Sequence, residues 1–224
     1  MNSTSFKKVL ILVTILAVPG FLYYLLQEKG KNRYKPLPYF GPKVVAKTFH
    51  TFHGEKIQDT IYHQVNDFNL LNQHADTLSF ASFKDKIIVL NLFNTRGGLG
   101  VDFTNKAVKA FETTYGKNKM IRFISLTTDP AYDKPEVLLP YALKLGAKTE
   151  KWNFLTGDSA QVYNLMKNGL FLDPGSTLLV LLDPQHHIRG YYDVTRQETL
   201  SQLDDEIKVL ITEELRKITA KDGR

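Results

Sequence analysis

Six consecutive residues, Thr95-Arg96-Gly97-Gly98-Leu99-Gly100, form the segment of this chain most suggestive of chemistry. Glycines at 97, 98 and 100 would leave backbone N–H groups bare beside a helix start, an arrangement that can hold an anion. Arg96 adds a permanent cation that cannot ligate a metal. Glycine is also the default residue of tight turns, so a loop under no ligand constraint is the plainer reading and the one preferred.

The other candidates are weaker. His50 and His53 have H-x-x-H spacing, His63 and His74 follow, and His186-His187 fall at an expected turn. Imidazole clusters bind copper or zinc, but no zinc signature is present, so solvated histidines are expected and no cofactor is assigned. Asp204 and Asp205 sit among Glu206, Lys208 and Glu213, the composition of a solvated helix face. No Ser-His-Asp order or phosphate loop is recognisable. The chain has no cysteine, which removes disulfides, thiolate nucleophiles, thiolate metal ligands and acylated cysteines. A protein that is not an enzyme is expected.

Charge narrows the partners. Eight of the 29 Lys and Arg, but only one of the 23 acids, fall within residues 1–47, which leaves 21 bases and 22 acids for the remainder. The basic balance thus belongs to the first segment, and a nucleic-acid face is not expected. Attraction of that segment to anionic lipid accounts for it better. Val9–Leu26 is free of charge over 18 residues, close to the roughly 20 that cross a bilayer core. Lys7 and Lys8 precede it and Tyr23 and Tyr24 lie near its end, so residues 1–26 are expected to be a tail and an uncleaved single-pass membrane anchor. Residues 27–43, rich in base and then in Pro36, Pro38, Gly41 and Pro42, read as a stiff linker. Residues 44–224 suffice for one domain.

These elements must position the loop. Val44–Phe83 alternates short β-type stretches with turn residues, and Ile87–Phe93 is apolar enough for a buried central strand. The glycine-rich loop follows, then a helix with Phe103, Ala107, Ala110 and Phe111 on one face and Asp102 as N-cap. Ile121–Leu126 gives a second buried strand, Lys134–Leu145 a helix with Pro135 in its first turn, and Trp152–Phe154 a short strand. A helix from Asp158 to Lys167 precedes a hairpin of Thr177–Leu182 and Ile188–Tyr192 around Asp183–His186, and Gln197–Lys217 is amphipathic. A parallel βαβ start and a hairpin end give an α/β, thioredoxin-like fold behind an N-terminal transmembrane helix. In that fold the loop after the first central strand carries the chemistry, at a helix N-terminus.

Several segments, in this order and spacing, resemble the SCO/SenC family of membrane-anchored, thioredoxin-fold copper chaperones of cytochrome c oxidase assembly. They are Pro36–Pro42 (PLPYFGP), Tyr62–Gln73 (YHQVNDFNLLNQ), Thr128-Asp129-Pro130 with Asp133, Pro135 and Glu136, Trp152–Asp158 (WNFLTGD) and Ile188–Asp193 (IRGYYD). The resemblance implies a metal site of two cysteines in a CxxxC loop and one histidine before the last hairpin. Placed on this chain, the cysteine positions, anchored on Thr95, are Gly97 and Val101, and the histidine position, counted back from Ile188 and Asp183, is Gly175, so all three ligands are missing. It also implies an extracytoplasmic, periplasmic domain and a protein partner in a respiratory complex, whereas Lys29, Lys31, Arg33 and Lys35 after the apolar run lean towards a cytoplasmic one. Two other readings stay open: an anion- or peptide-binding module at Arg96–Gly100, and a metal carrier using histidines alone.

Overall fold

The computed structural model describes residues 3–30, 36–52, 54–148 and 150–222. The chain divides into two compact units, Met1–Pro36 and Leu37–Arg224. The first contains helix α1 (Ser3–Gly30), with Pro19 inside it. Its side chains from Ile11 to Val13, Ile15, Val18 and from Phe21 to Tyr24 are exposed. Among the described residues no helix is long and apolar enough to cross a membrane, so the expected transmembrane helix is not found there. The apolar run also includes the side chains of residues 9, 10, 16 and 26, which lie outside the described ones, as do Lys31, Arg33 and Lys35.

In the second unit β1 (Lys43–Phe52) and β2 (Glu55–Tyr62) form an antiparallel hairpin, and β3 (Leu70–Leu71) pairs with β4 (Thr77–Leu78). A five-stranded sheet follows, built from β5 (Ile87–Phe93), β6 (Ile121–Thr127), β7 (Trp152–Leu155), β8 (Leu178–Leu182) and β9 (Ile188–Asp193) in the order β7-β6-β5-β8-β9. The first three are parallel and the last two antiparallel. Strand β5 explains its own sequence. Ile87, Val89 and Phe93 enter one core layer, Ile88, Leu90 and Leu92 the other, and a strand buried on both faces reads as one apolar run. Its single polar residue, Asn91, accepts the Ser125 hydroxyl at 2.6 Å, and Ser125 in turn accepts the Trp152 indole N–H at 2.8 Å. Buried polarity is thereby satisfied across three strands.

Helices α2 (Leu99–Tyr115), α3 (Pro135–Lys144), α4 (Ser159–Asn164, continuing into a π turn to Gly169) and α5 (Gln197–Asp222) flank the sheet. Two expectations for α2 are corrected. Its N-cap is Gly98, and Asp102 lies inside the first turn, because Val101 and Asp102 already donate to the Gly98 carbonyl. The buried face is that of Thr104, Val108, Phe111 and Tyr115, with Ala107 beside it. Phe103 is half exposed and Ala110 exposed. Both line an open groove of about 620 Å³ between α2 and α5, with Phe111 and Leu200.

Residues 37–40, read from sequence as linker, are bound to the domain. Arg189 is only 1% exposed; it donates to the carbonyls of Leu37 at 2.7 Å and Pro38 at 3.2 Å and stacks on Tyr39. Asp183 at 3.1 Å and Glu213 at 3.5 Å balance its charge. A buried guanidinium needs such a shell, since desolvation otherwise outweighs its attractions.

Candidate functional site

The loop Asn94–Gly98 leaves the carboxyl end of β5, where open α/β sheets place their ligands. Its anchor is Asp133, which is wholly buried just ahead of α3. That carboxylate accepts the Thr95 N–H at 3.2 Å and the hydroxyls of Thr95 and Thr127. Three donors on one carboxylate tie the loop to the end of β6 and fix its path. Thr128 N–H adds a bond of 2.7 Å to the Phe93 carbonyl, stitching the ends of β5 and β6 together.

Arg96 turns outward. Its guanidinium is paired with Asp129 and lies 4.1 Å from the centre of the Tyr132 ring. The charge expected to favour an anion is thus already met by a carboxylate, which weakens the anion-binding reading of this loop. Neither Asp129 nor Tyr132 was singled out from the sequence as a partner for Arg96. Their signal was local: an acid and an aromatic beside Pro130 at a strand end, facing a loop that holds one cation.

Gly97 and Val101 stand against each other. A Cβ added at Gly97 would lie 2.3 Å from Val101 Cγ2 and 2.8 Å from Val101 Cβ, so glycine at 97 and valine at 101 are sterically coupled. At Gly100 an added Cβ would meet Thr177 Cγ2 at 3.4 Å, which brings the segment before β8 to the same loop. Gly175 lies two residues earlier in that segment, in a turn closed by Ser176 N–H to Asp173 O, and space is open around it and around Gly98. The structure therefore gathers Gly97 and Val101 directly, and the Gly175 segment through Thr177. A hydrogen atom and an alkyl group are what these positions offer. Neither fits a soft cation such as copper, which takes thiolate or imidazole.

The histidines do not converge. His50 pairs with Asp59 at 2.6 Å on the exposed β1–β2 hairpin, and His53 lies outside the described residues. His63 Nε2 is 2.8 Å from the Gly169 carbonyl. The backbone N–H of His74 donates to Asn72 Oδ1. His187 approaches Asp183 at 3.3 Å. His186 stacks on Phe80 with ring centres 3.9 Å apart, and burial holds its pKa below the ordinary histidine value. Among the described residues no group of three or more His, Asp or Glu is placed to hold a metal ion. Asp205 is exposed, as expected. Asp204 is not merely solvated: it accepts the Tyr115 hydroxyl at 2.6 Å and Lys208 at 2.6 Å, fastening α2 to α5.

Residues 58–171 match the SCO1/SenC family. A SCO1 protein homolog of Bacillus subtilis (strain 168) is 27% identical over 107 residues, which are 47% of this chain and 55% of the relative. The chain thus spans about half the length of that curated relative. Among solved structures, a SCO1/SenC family lipoprotein from Bacillus anthracis str. Ames superposes with a TM-score of 0.60 at 20% identity, over 66% of this chain and 95% of that one. BsSco, a member of the Sco family of cytochrome c oxidase assembly proteins, gives 0.57 at 18% identity, over 66% and 94%. At such identities the structures speak for the fold, a mixed α/β thioredoxin-like one, and the match of half the sequence speaks for descent: the chain belongs to the SCO1/SenC family.

Proposed function

We propose that this protein is a membrane-anchored, extracytoplasmic member of its family that has lost the copper site and serves cytochrome c oxidase assembly as a partner, scaffold or accessory subunit rather than as a copper carrier or an enzyme. The observation that carries this reading is the loop itself. Its frame is intact, with Thr95, Thr127 and Asp133 joined at the ends of β5 and β6. Its ligand positions hold Gly97, Val101 and, in the neighbouring turn, Gly175, and the chain has no cysteine anywhere. A binding surface survives the loss of a metal, whereas metal transfer does not. The assembly setting is supported by the relatives, BsSco among them. Anchoring is supported by the uncharged run Val9–Leu26 and the bases around it, and residues 1–26 and 27–36 then act as anchor and linker for a domain beginning at Leu37.

Copper titration of the full chain tests the lost site. The natural sequence is expected to show no stoichiometric tight binding, and tight binding would overturn the reading. The variant Gly97→Cys/Val101→Cys/Gly175→His should bind copper: replacing valine at 101 removes the Cγ2 atom that a Cβ at 97 would strike at 2.3 Å, and the loop has to shift by a few tenths of an ångström to relieve the remaining 2.8 Å approach to the Cβ at 101. Failure of this folded variant to bind would mean that the loop is no longer shaped for the metal and that the three positions are wrongly assigned.

A further inference from the structure

The β1–β2 hairpin stands outside both core clusters, and β1 and the first three residues of β2 precede the residues that match the family, 58–171. A two-stranded ribbon is marginal in water without a surface to pack on. This one nevertheless presents Val44, Val45, Phe49, Ile57 and Ile61 to solvent. Its root is firmly held. Tyr39, part of the segment gripped by Arg189, stacks on Tyr62 with ring centres 4.1 Å apart. At Gly41 (φ +94°) the chain turns so close to His63 that a Cβ would lie 2.7 Å from its Cβ. The hairpin is thus an arm held at its root, with uncovered apolar side chains.

The register sorts its charges. Opposed residues share a face and successive ones alternate. The pairs Lys43↔Tyr62, Val45↔Thr60, Phe49↔Gln58 and Thr51↔Lys56 form one face. On it Val45 and Phe49, 63% and 58% exposed, lie between Lys43 and Lys56, with no carboxylate. Both acids of the arm, Glu55 and Asp59, are on the other face, where Asp59 is held below the usual carboxylate range by the Thr48 hydroxyl and His50. Exposed apolar groups flanked by lysines suit an anionic bilayer, which takes apolar side chains into its interface and attracts each lysine. Self-pairing is less well served. The β1 edge is interrupted by a bulge between Val45 and Phe49, which hinders strand addition.

We infer that the Lys43/Val45/Phe49/Lys56 face of the β1–β2 hairpin is a docking surface for anionic lipid, holding the domain against the membrane. The inference rests on the anchored reading above only in that the anchor would keep a bilayer within reach. The cysteine-free chain makes the test direct. Thr60→Cys, on the lysine face, and Ile57→Cys, on the opposite face, are each labelled with an environment-sensitive fluorophore in the full chain, in nanodiscs of phosphatidylcholine with or without phosphatidylglycerol. Emission at residue 60 should rise and shift to the blue only with phosphatidylglycerol, with residue 57 little changed. Adding Lys43→Gln/Lys56→Gln should weaken docking by about thirty-fold, from two lysine–surface attractions. No dependence on phosphatidylglycerol, or equal responses on the two faces, would overturn the proposal. A response that persists in detergent and grows with protein concentration would also overturn it, in favour of pairing between copies. The anchor is read separately. If the chain fails to co-purify with the discs, the anchor is refuted, and the same contrast between residues 60 and 57 on adding phosphatidylglycerol vesicles decides the docking face.

Discussion

Gly97 shows how much one side chain can decide. With Val101 opposite, a Cβ at this position would strike its Cγ2 at 2.3 Å, so the valine at 101 restricts position 97 to glycine unless the loop moves. His186 shows a different kind of residue-level constraint. It occupies a left-handed conformation (φ +64°) in the β8–β9 turn, stacked on Phe80, and its buried Nε2 has no partner among the described residues. Burial disfavours the imidazolium, while Asp183 and Asp67 oppose that effect only in part. The folded pKa is therefore below the unfolded value of 6.5, and the unfolded chain takes up this proton first as pH falls. Stability from this residue is complete above pH 6.5 and declines as pH drops towards the lower, folded pKa. Urea unfolding followed from neutral to mildly acid pH should show that decline, and His186→Asn, which suits the positive φ, should flatten it. Equal slopes in the two proteins would show that His186 does not cause the pH dependence. Neither feature of His186 was legible in sequence, since the pattern His186-His187 marks a turn but not what the turn leans on.

At the scale of elements, spacing gave the strands almost residue by residue, because each central strand is buried on both faces and reads as an apolar run. The buried face of α2 departs from its apolar pattern. Phe103 and Ala110 belong to the apolar set but line the open groove against α5, while Thr104 and Glu112 are buried. The segment Leu37–Phe40 was also beyond sequence reading, since prolines mark stiffness without showing what a segment binds. Its holder is Arg189, a buried charge in the edge strand β9. Arg189→Met should strand Asp183 and Glu213 and cost about 3–5 kcal/mol, as breaking buried ion pairs does. Hydrogen exchange should then quicken at the amides of Leu37 and Phe40, which donate to Glu213 and Ile188. A loss of stability with unchanged exchange at those two amides would show that Arg189 supports the core and not the strap.

For the whole molecule the expected behaviour is that of a protein that binds and does not carry. Capture of the full chain from native membranes should recover a component of a respiratory oxidase, and recovery that is unaffected by copper chelation would fit a site without metal. Recovery of no respiratory component would remove the support for the assembly role. By itself the sequence determined the α/β class, the strand order along the chain and the absence of thiolate chemistry, because these follow from composition, periodicity and local turn residues, while the family came from the resemblance of its motif segments. Only the tertiary structure decided that Arg96 is spent on Asp129, that Asp133 ties the loop to its frame, and that Gly97 faces Val101. The first two join residues whose contact depends on how the ends of β5 and β6 are brought together, and side-chain pairing across elements leaves no period in a sequence; the third depends on the path the backbone takes from the loop into α2. The loop that looked most suited to holding an anion is, for that reason, a braced frame whose cation already has its partner.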